Sequence, residues 1–175
     1  MARATWHSMA VRYSEDALCE VFADKLVGSD AFRLWLLMQT RFAGEAETAR
    51  LLDREQMDLR PRKRWWRHWW CHVPALDHQR ETDIFCVFDG QYRRFALHIE
   101  NKLGLGRFLP GQAEGYAPRA AHMAGKAAYL GYTDYETLLL APAAFVARFS
   151  TDCAHFDRIV THESLVPFLP EFAAP

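Results

Sequence analysis

The chain has few cysteines, and none of them is clustered. Cys19, Cys71, Cys86 and Cys153 stand far apart, without a C-x-x-C pair and without the density of a disulfide-stapled scaffold. Nothing in that spacing points to zinc or dithiol chemistry, and reduced, mostly buried thiols are expected. Long apolar runs are lacking too: no segment approaches the roughly 20 residues that a membrane-spanning helix needs. The opening stretch MARATWHSMAVRYSED holds no apolar core followed by a small-residue cleavage site. A soluble, cytoplasmic protein with no membrane partner is therefore expected. Nor is there an excess of charge of one sign. With 21 Lys and Arg against 22 Asp and Glu the formal net charge is -1, so any attraction to phosphate must be local. Repeats and flexible linkers are missing as well, which leaves residues 1–175 as one expected domain.

What is present is core-forming material. Half the residues are apolar and 14% are aromatic, enough for a chain of this length to bury a sizeable core unaided. Ser14 is placed to cap a helix beginning at Glu15, with Leu18, Phe22 and Leu26 recurring behind it and Gly28 ending it. Ser29 and Asp30 read as a second cap, before the buried helical run Ala31 to Met38. A third, more exposed helical stretch is expected within 43–60, stopped by Pro61, and the aromatic-rich segment Arg62 to Val73 reads as a strand. TDIFCVF (Thr82 to Phe88) and YRRFALHIE (Tyr92 to Glu100) read as a hairpin turning at Asp89-Gly90, where glycine would supply a positive φ. An Ala-rich helix is expected between Gly111 and Lys126, delayed or kinked by Pro118. Strands follow at Tyr135 to Leu140 and Phe156 to Thr161, the second running into a terminal helix. This order predicts an α/β domain with a central mixed sheet flanked by helices.

Residues two apart on a strand share a face, so Glu100 and Lys102 of the sequence E-N-K project together while Asn101 points the other way. A two-residue turn would pair Phe88 with Gln91 and place Asp83 on the face of Ala96, His98, Glu100 and Lys102. That register leaves Asp83 opposite Ala96, about four residues or ~13 Å short of Glu100. A longer connection or a bulge must therefore shift the pairing. Two carboxylates beside a lysine suit phosphodiester hydrolysis, because hard oxygens hold Mg²⁺ or Mn²⁺ beside a scissile phosphate. The ammonium would orient or help deprotonate the attacking water and stabilise charge on the pentacovalent phosphorus.

An acidic residue on one strand followed by E-x-K at the end of the next resembles the PD-(D/E)XK nuclease superfamily. The matching residues are Thr82-Asp83 and Glu100-Asn101-Lys102, without the proline of the nominal motif. Gln112-Ala113-Glu114-Gly115-Tyr116 matches the Q-x-x-x-Y that some branches carry on the helix after the E-x-K strand. The motifs span roughly residues 80 to 120, and only the order of elements extends the likeness over the chain. The resemblance implies a metal-dependent nuclease using Mg²⁺ or Mn²⁺, with nucleic acid, DNA ahead of RNA, as its partner. It further implies Asp83 and Glu100 as metal ligands, with Lys102, Gln112 and Tyr116 completing the catalytic set. Several families add a Glu from the first helix to the metal site. Glu15 is the candidate here, since it shares the stripe of Leu18 and Phe22; a carboxylate favoured by the helix dipole is the other reading.

His98 shares the face of Glu100 but reads first as a hydrogen-bonded core histidine. The cluster Arg60 to Trp70 offers cations for phosphate and aromatic faces for bases, or equally a buried strand whose charged residues point outward. Two further functions stay open: a nuclease-like domain without turnover that binds nucleic acid or a protein, and an assembly module whose Trp-rich segment forms a protein interface. Homo-oligomerisation stays open as well.

Overall fold

Two serine caps set the first two helices. In the computed structural model, which describes residues 13–61, 63–74 and 80–173, Ser14 has extended dihedrals and its hydroxyl accepts from the Ala17 amide at 3.2 Å, starting α1 (Glu15–Gly28). Ser29 does the same for the Phe32 amide at 3.2 Å, starting α2 (Asp30–Met38). Leu18, Phe22 and Leu26 of α1 and Phe32, Leu36 and Leu37 of α2 are all fully buried, each burial contributing on the order of 1.5–3 kcal/mol. The expected features at residues 1–12 and at Arg62 lie outside the described residues.

The stretch 43–60 is not one helix. A 3-10 turn at Ala43–Glu45 leads to a short strand β1 (Arg50–Leu51), and only Asp53–Leu59 is helical, as α3. The apolar pair Leu51-Leu52 interrupts the polar helical pattern, and both residues are taken into the core. The aromatic segment is likewise a strand only at β2 (Trp69–Cys71), which pairs with β3 (Arg80–Thr82) in a separate two-stranded sheet. His68, at φ 64°, breaks the extended conformation just before it. Trp65 and Trp66 are loop residues folded inward, and the Trp66 carbonyl accepts from the Phe85 amide at 3.0 Å.

The main sheet is completed by β4 (Ile84–Asp89), β5 (Arg94–Asn101), β6 (Asp134–Ala141) and β7 (Arg158–Thr161), in the order β1-β4-β5-β6-β7. Pairing is antiparallel between β1, β4 and β5 and parallel between β5, β6 and β7. The parallel connections run through helices: α4 (Tyr116–Met123) between β5 and β6, and α5 (Ala143–Arg148) with α6 (Ser150–Cys153) between β6 and β7. A short α7 (His162–Leu165) follows β7. This is the expected α/β domain with a mixed, helix-flanked sheet.

Strand alternation divides the core. Ile84, Cys86, Phe88, Phe95, Leu97 and Ile99 face α1 and α2. On the opposite face Phe85, Val87 and Ala96 pack with Trp69, Met123 and Tyr132, while Leu139 and Ala141 pack with Tyr116 and Phe145. All four cysteines are free and buried. Among the described residues no helix is long and apolar enough to cross a membrane.

Candidate active site

The hairpin places the first acid. Phe88 pairs with Phe95 and Asp89 with Arg94, so the connection is the four residues Gly90 to Arg93 and not a two-residue turn. Relative to the tight turn the register moves by four residues, and Ile84 pairs with Ile99. Asp83 thereby comes beside the end of β5, where its Oδ2 accepts from the Asn101 amide at 3.0 Å. Gly90 has no positive φ. Glycine leaves room there: a Cβ would stand 1.9 Å from Oε2 of the buried Glu45 and 3.0 Å from the Arg93 carbonyl, so Glu45 would have to shift.

Glu100 lies at the floor of the site and is fully buried. Its Oε1 accepts from Lys102 Nζ at 2.6 Å and from Gln112 Nε2 at 2.7 Å, and its Oε2 accepts from the Tyr116 hydroxyl. The Leu109 amide donates to Gln112 Oε1 at 3.0 Å, which turns the amide nitrogen toward Glu100. Gln112 sits in the turn before α4 and Tyr116 is the first residue of that helix, so they converge without sharing a helical face. Pro118 is accommodated in the first turn, where its missing amide is no loss.

Glu15, at the start of α1, reaches the same strand end. Its Oε1 accepts from the Leu103 amide at 3.2 Å, and its carbonyl accepts from Asn101 Nδ2 at 3.3 Å. The structure therefore brings Glu15, Asp83, Glu100, Lys102, Gln112 and Tyr116 to one place, at the carboxyl end of β5, where open α/β sheets usually bind their ligands. His98 is kept out of it. Fully buried, it pairs with the Tyr132 hydroxyl at 3.0 Å, and burial followed by the charge of Arg119 pulls its pKa down to about 3. It is the neutral core histidine that was expected.

Electrostatics at the site are those of crowded acids. Burial and then the charge of Glu100 push the Asp83 carboxyl well above the ordinary carboxylate range. Burial likewise raises Glu100, against the opposing pull of Lys102. Burial alone would lower the Lys102 ammonium, but Glu100, Glu15 and Asp83 outweigh it and hold the proton on. A lysine so held carries its positive charge among the three carboxylates.

Among the described residues, no three His, Cys, Asp or Glu side chains already form an ion cage. The donor set nevertheless fits a hard divalent cation: three carboxylates share one ammonium, and two of them are raised by burial. Asn101, which alternation turns away from Glu100 and Lys102, has an anchoring part in the structure. Its side chain lies on the other side of β5, where Oδ1 is 2.9 Å from His162 Nε2, so it ties Asp83, α1 and α7 together. The available signal was a polar residue in phase with Leu97 and Ile99.

The basic aromatic cluster is partly spent within the chain. Arg64 pairs with Glu20 at 3.0 Å and Arg67 with Asp16 at 2.8 Å, while Arg60 lies over the Trp69 ring at 4.7 Å. The two ion pairs fasten the segment to α1, the third contact is internal to it, and together they favour the scaffold reading. Comparison of the chain with family models, with curated proteins and with solved structures finds no match.

Proposed function

We propose that this chain is a metal-dependent phosphodiesterase of the nuclease type, of PD-(D/E)XK descent, acting on nucleic acid and first of all on DNA. The observation that supports it is the convergence of Asp83, Glu100 and Lys102 with Gln112 and Tyr116 around a single buried carboxylate. Asp83, Glu100 and Glu15 would hold Mg²⁺ or Mn²⁺, which when bound supplies Lewis-acid neutralisation of a phosphate oxygen and a more acidic water.

The chain's own residues have separable tasks. Lys102, fixed as a cation, orients the attacking water and stabilises negative charge gathering on phosphorus. Gln112 and Tyr116 hold the Glu100 carboxylate in one orientation, so little reorganisation is left for the reaction itself. The amide of Asn101 does the same for Asp83. One observation favours the alternative of binding without turnover: both Glu100 oxygens are already engaged by donors of the chain. Incubation of the purified chain with linear, circular and single-stranded DNA and with RNA, each with Mg²⁺ or Mn²⁺, separates the readings. Cleavage that disappears in E100Q is expected; intact substrates under every condition, together with retained binding, would leave the non-catalytic reading.

A further inference from the structure

Among the described residues, no carboxylate pairs with the charged side chain of Arg119. It projects from α4 one turn beyond Tyr116 and is 1% exposed, yet none of its three guanidinium nitrogens has a hydrogen-bond partner. Among the described residues its aromatic contact is the Tyr116 ring, 4.4 Å from the guanidinium carbon. A cation–π contact offsets only part of the cost of burying such a charge. Glu100, which the same tyrosine joins through its hydroxyl, already has both oxygens engaged. Water could satisfy the donors but would leave the charge uncompensated.

Two further features describe the surroundings of this guanidinium. A Cβ at Gly115 would stand 2.7 Å from Arg119 Nη1 and 3.0 Å from the Gly111 carbonyl, so glycine lets the turn 111–115 pack directly on the guanidinium. His98, close enough to feel the Arg119 charge, has its Nδ1 buried and unpartnered as well. We propose that Arg119 is the seat of a phosphate group of the substrate, next to the one positioned at Glu100, with the guanidinium fork taking two of its oxygens. This assignment rests on the phosphodiesterase reading for the identity of the substrate, but not for the anion site itself. Because the guanidinium has no open face, the turn 111–115 must part to admit the ligand.

The test uses the full chain and inorganic phosphate, titrated at ionic strength held constant with chloride, with melting temperature as the readout. Phosphate should raise the wild-type melting temperature saturably, have no such effect on R119M, and need at least tenfold higher concentration with R119K. Without phosphate, R119M should melt no lower than wild type, since it removes an uncompensated charge; a merely structural arginine would give the reverse. Failure of R119M to fold counts as that reverse and against the proposal, and R119K, which keeps the charge, then shows whether any phosphate response needs the guanidinium fork. A response to phosphate no greater than to chloride, or an unchanged response in R119M, overturns the proposal. A single-stranded oligonucleotide should compete with phosphate in E100Q, which cannot be expected to cleave it. Lack of competition overturns the assignment to nucleic acid in favour of free phosphate, whereas full cleavage by E100Q removes Glu100 from the nuclease mechanism and leaves the anion site untouched, and intact nucleic acid with the wild type defeats the nuclease reading alone.

Discussion

At the scale of single residues, the division of labour between the carboxylates and the lysine is open to measurement. Asp83→Ala or Glu100→Ala should abolish cleavage by removing ligands, and Lys102→Ala should leave metal binding largely intact while lowering turnover roughly a hundredfold or more. Wild-type rates in a folded Lys102→Ala protein would remove the lysine from the mechanism. His98 offers a separate test. Its folded pKa, about 3 through burial, lies below the value near 6.5 of an unfolded histidine. Between the two the unfolded chain binds a proton that the folded chain refuses, so stability falls as pH falls through this window, by about 1.4 kcal/mol per unit. Asp83 and Glu100, raised in the folded state, work in the opposite sense: their ionisation costs stability as pH rises. Only the difference between variants isolates the histidine. Urea unfolding at pH 4.5 and 6.5 should show a smaller loss for His98→Gln than for wild type; equal losses would mean that the imidazole is protonated or exposed.

Among the elements, the β4–β5 hairpin decides whether a site exists at all. Its strands and the shared face of Glu100 and Lys102 follow from alternation, which needs only the sequence, whereas Asp83 joins that face through the register. That register does not follow from alternation: Asp89-Gly90 suits a two-residue turn locally, yet the strands are joined by the four residues Gly90 to Arg93. Glu45, buried at the end of a 3-10 turn and bonded to Arg93 at 3.1 Å, occupies the space beside Gly90. Gly90→Ala should therefore destabilise the fold by roughly 1–3 kcal/mol through overpacking. A melting temperature equal to wild type would show that Glu45 moves freely and does not set the turn. The helical stretch expected within 43–60 failed for a related reason. Leu51 and Leu52 were absorbed into a pattern that local propensity favours, whereas pairing of Leu51 with Phe88 made them an edge strand and its exit.

For the molecule as a whole, the site joins α1, the hairpin, the turn before α4 and, through Asn101, α7. A ligand bound there should stabilise them together. With Mg²⁺ at a hundred times its dissociation constant the gain is about 2.7 kcal/mol, or roughly 5–10 °C in melting temperature for a domain of this size. Thermal melts with and without Mg²⁺ should show one shifted transition in wild type and none in E100Q. An unshifted wild type across Mg²⁺ and Mn²⁺ would speak against a metal site. The basic aromatic segment belongs to this scale too, since Arg64 and Arg67 answer carboxylates of α1.

What the sequence determined by itself is what depends on near neighbours along the chain. Helix starts at Ser14 and Ser29, the strand runs, the common face of Glu100 and Lys102 and the spacing of Gln112 and Tyr116 all follow from periodicity, capping or motif. Tertiary structure decided what depends on distant partners: the four-residue shift that brings Asp83 to Glu100, the convergence of Gln112 from a turn and not from a helix, the anchoring of Asn101 by His162 and the isolation of Arg119. The physical reason is that backbone preferences act over a few residues and are individually weak, whereas register and side-chain pairing are set by packing between segments that meet only once the chain has closed.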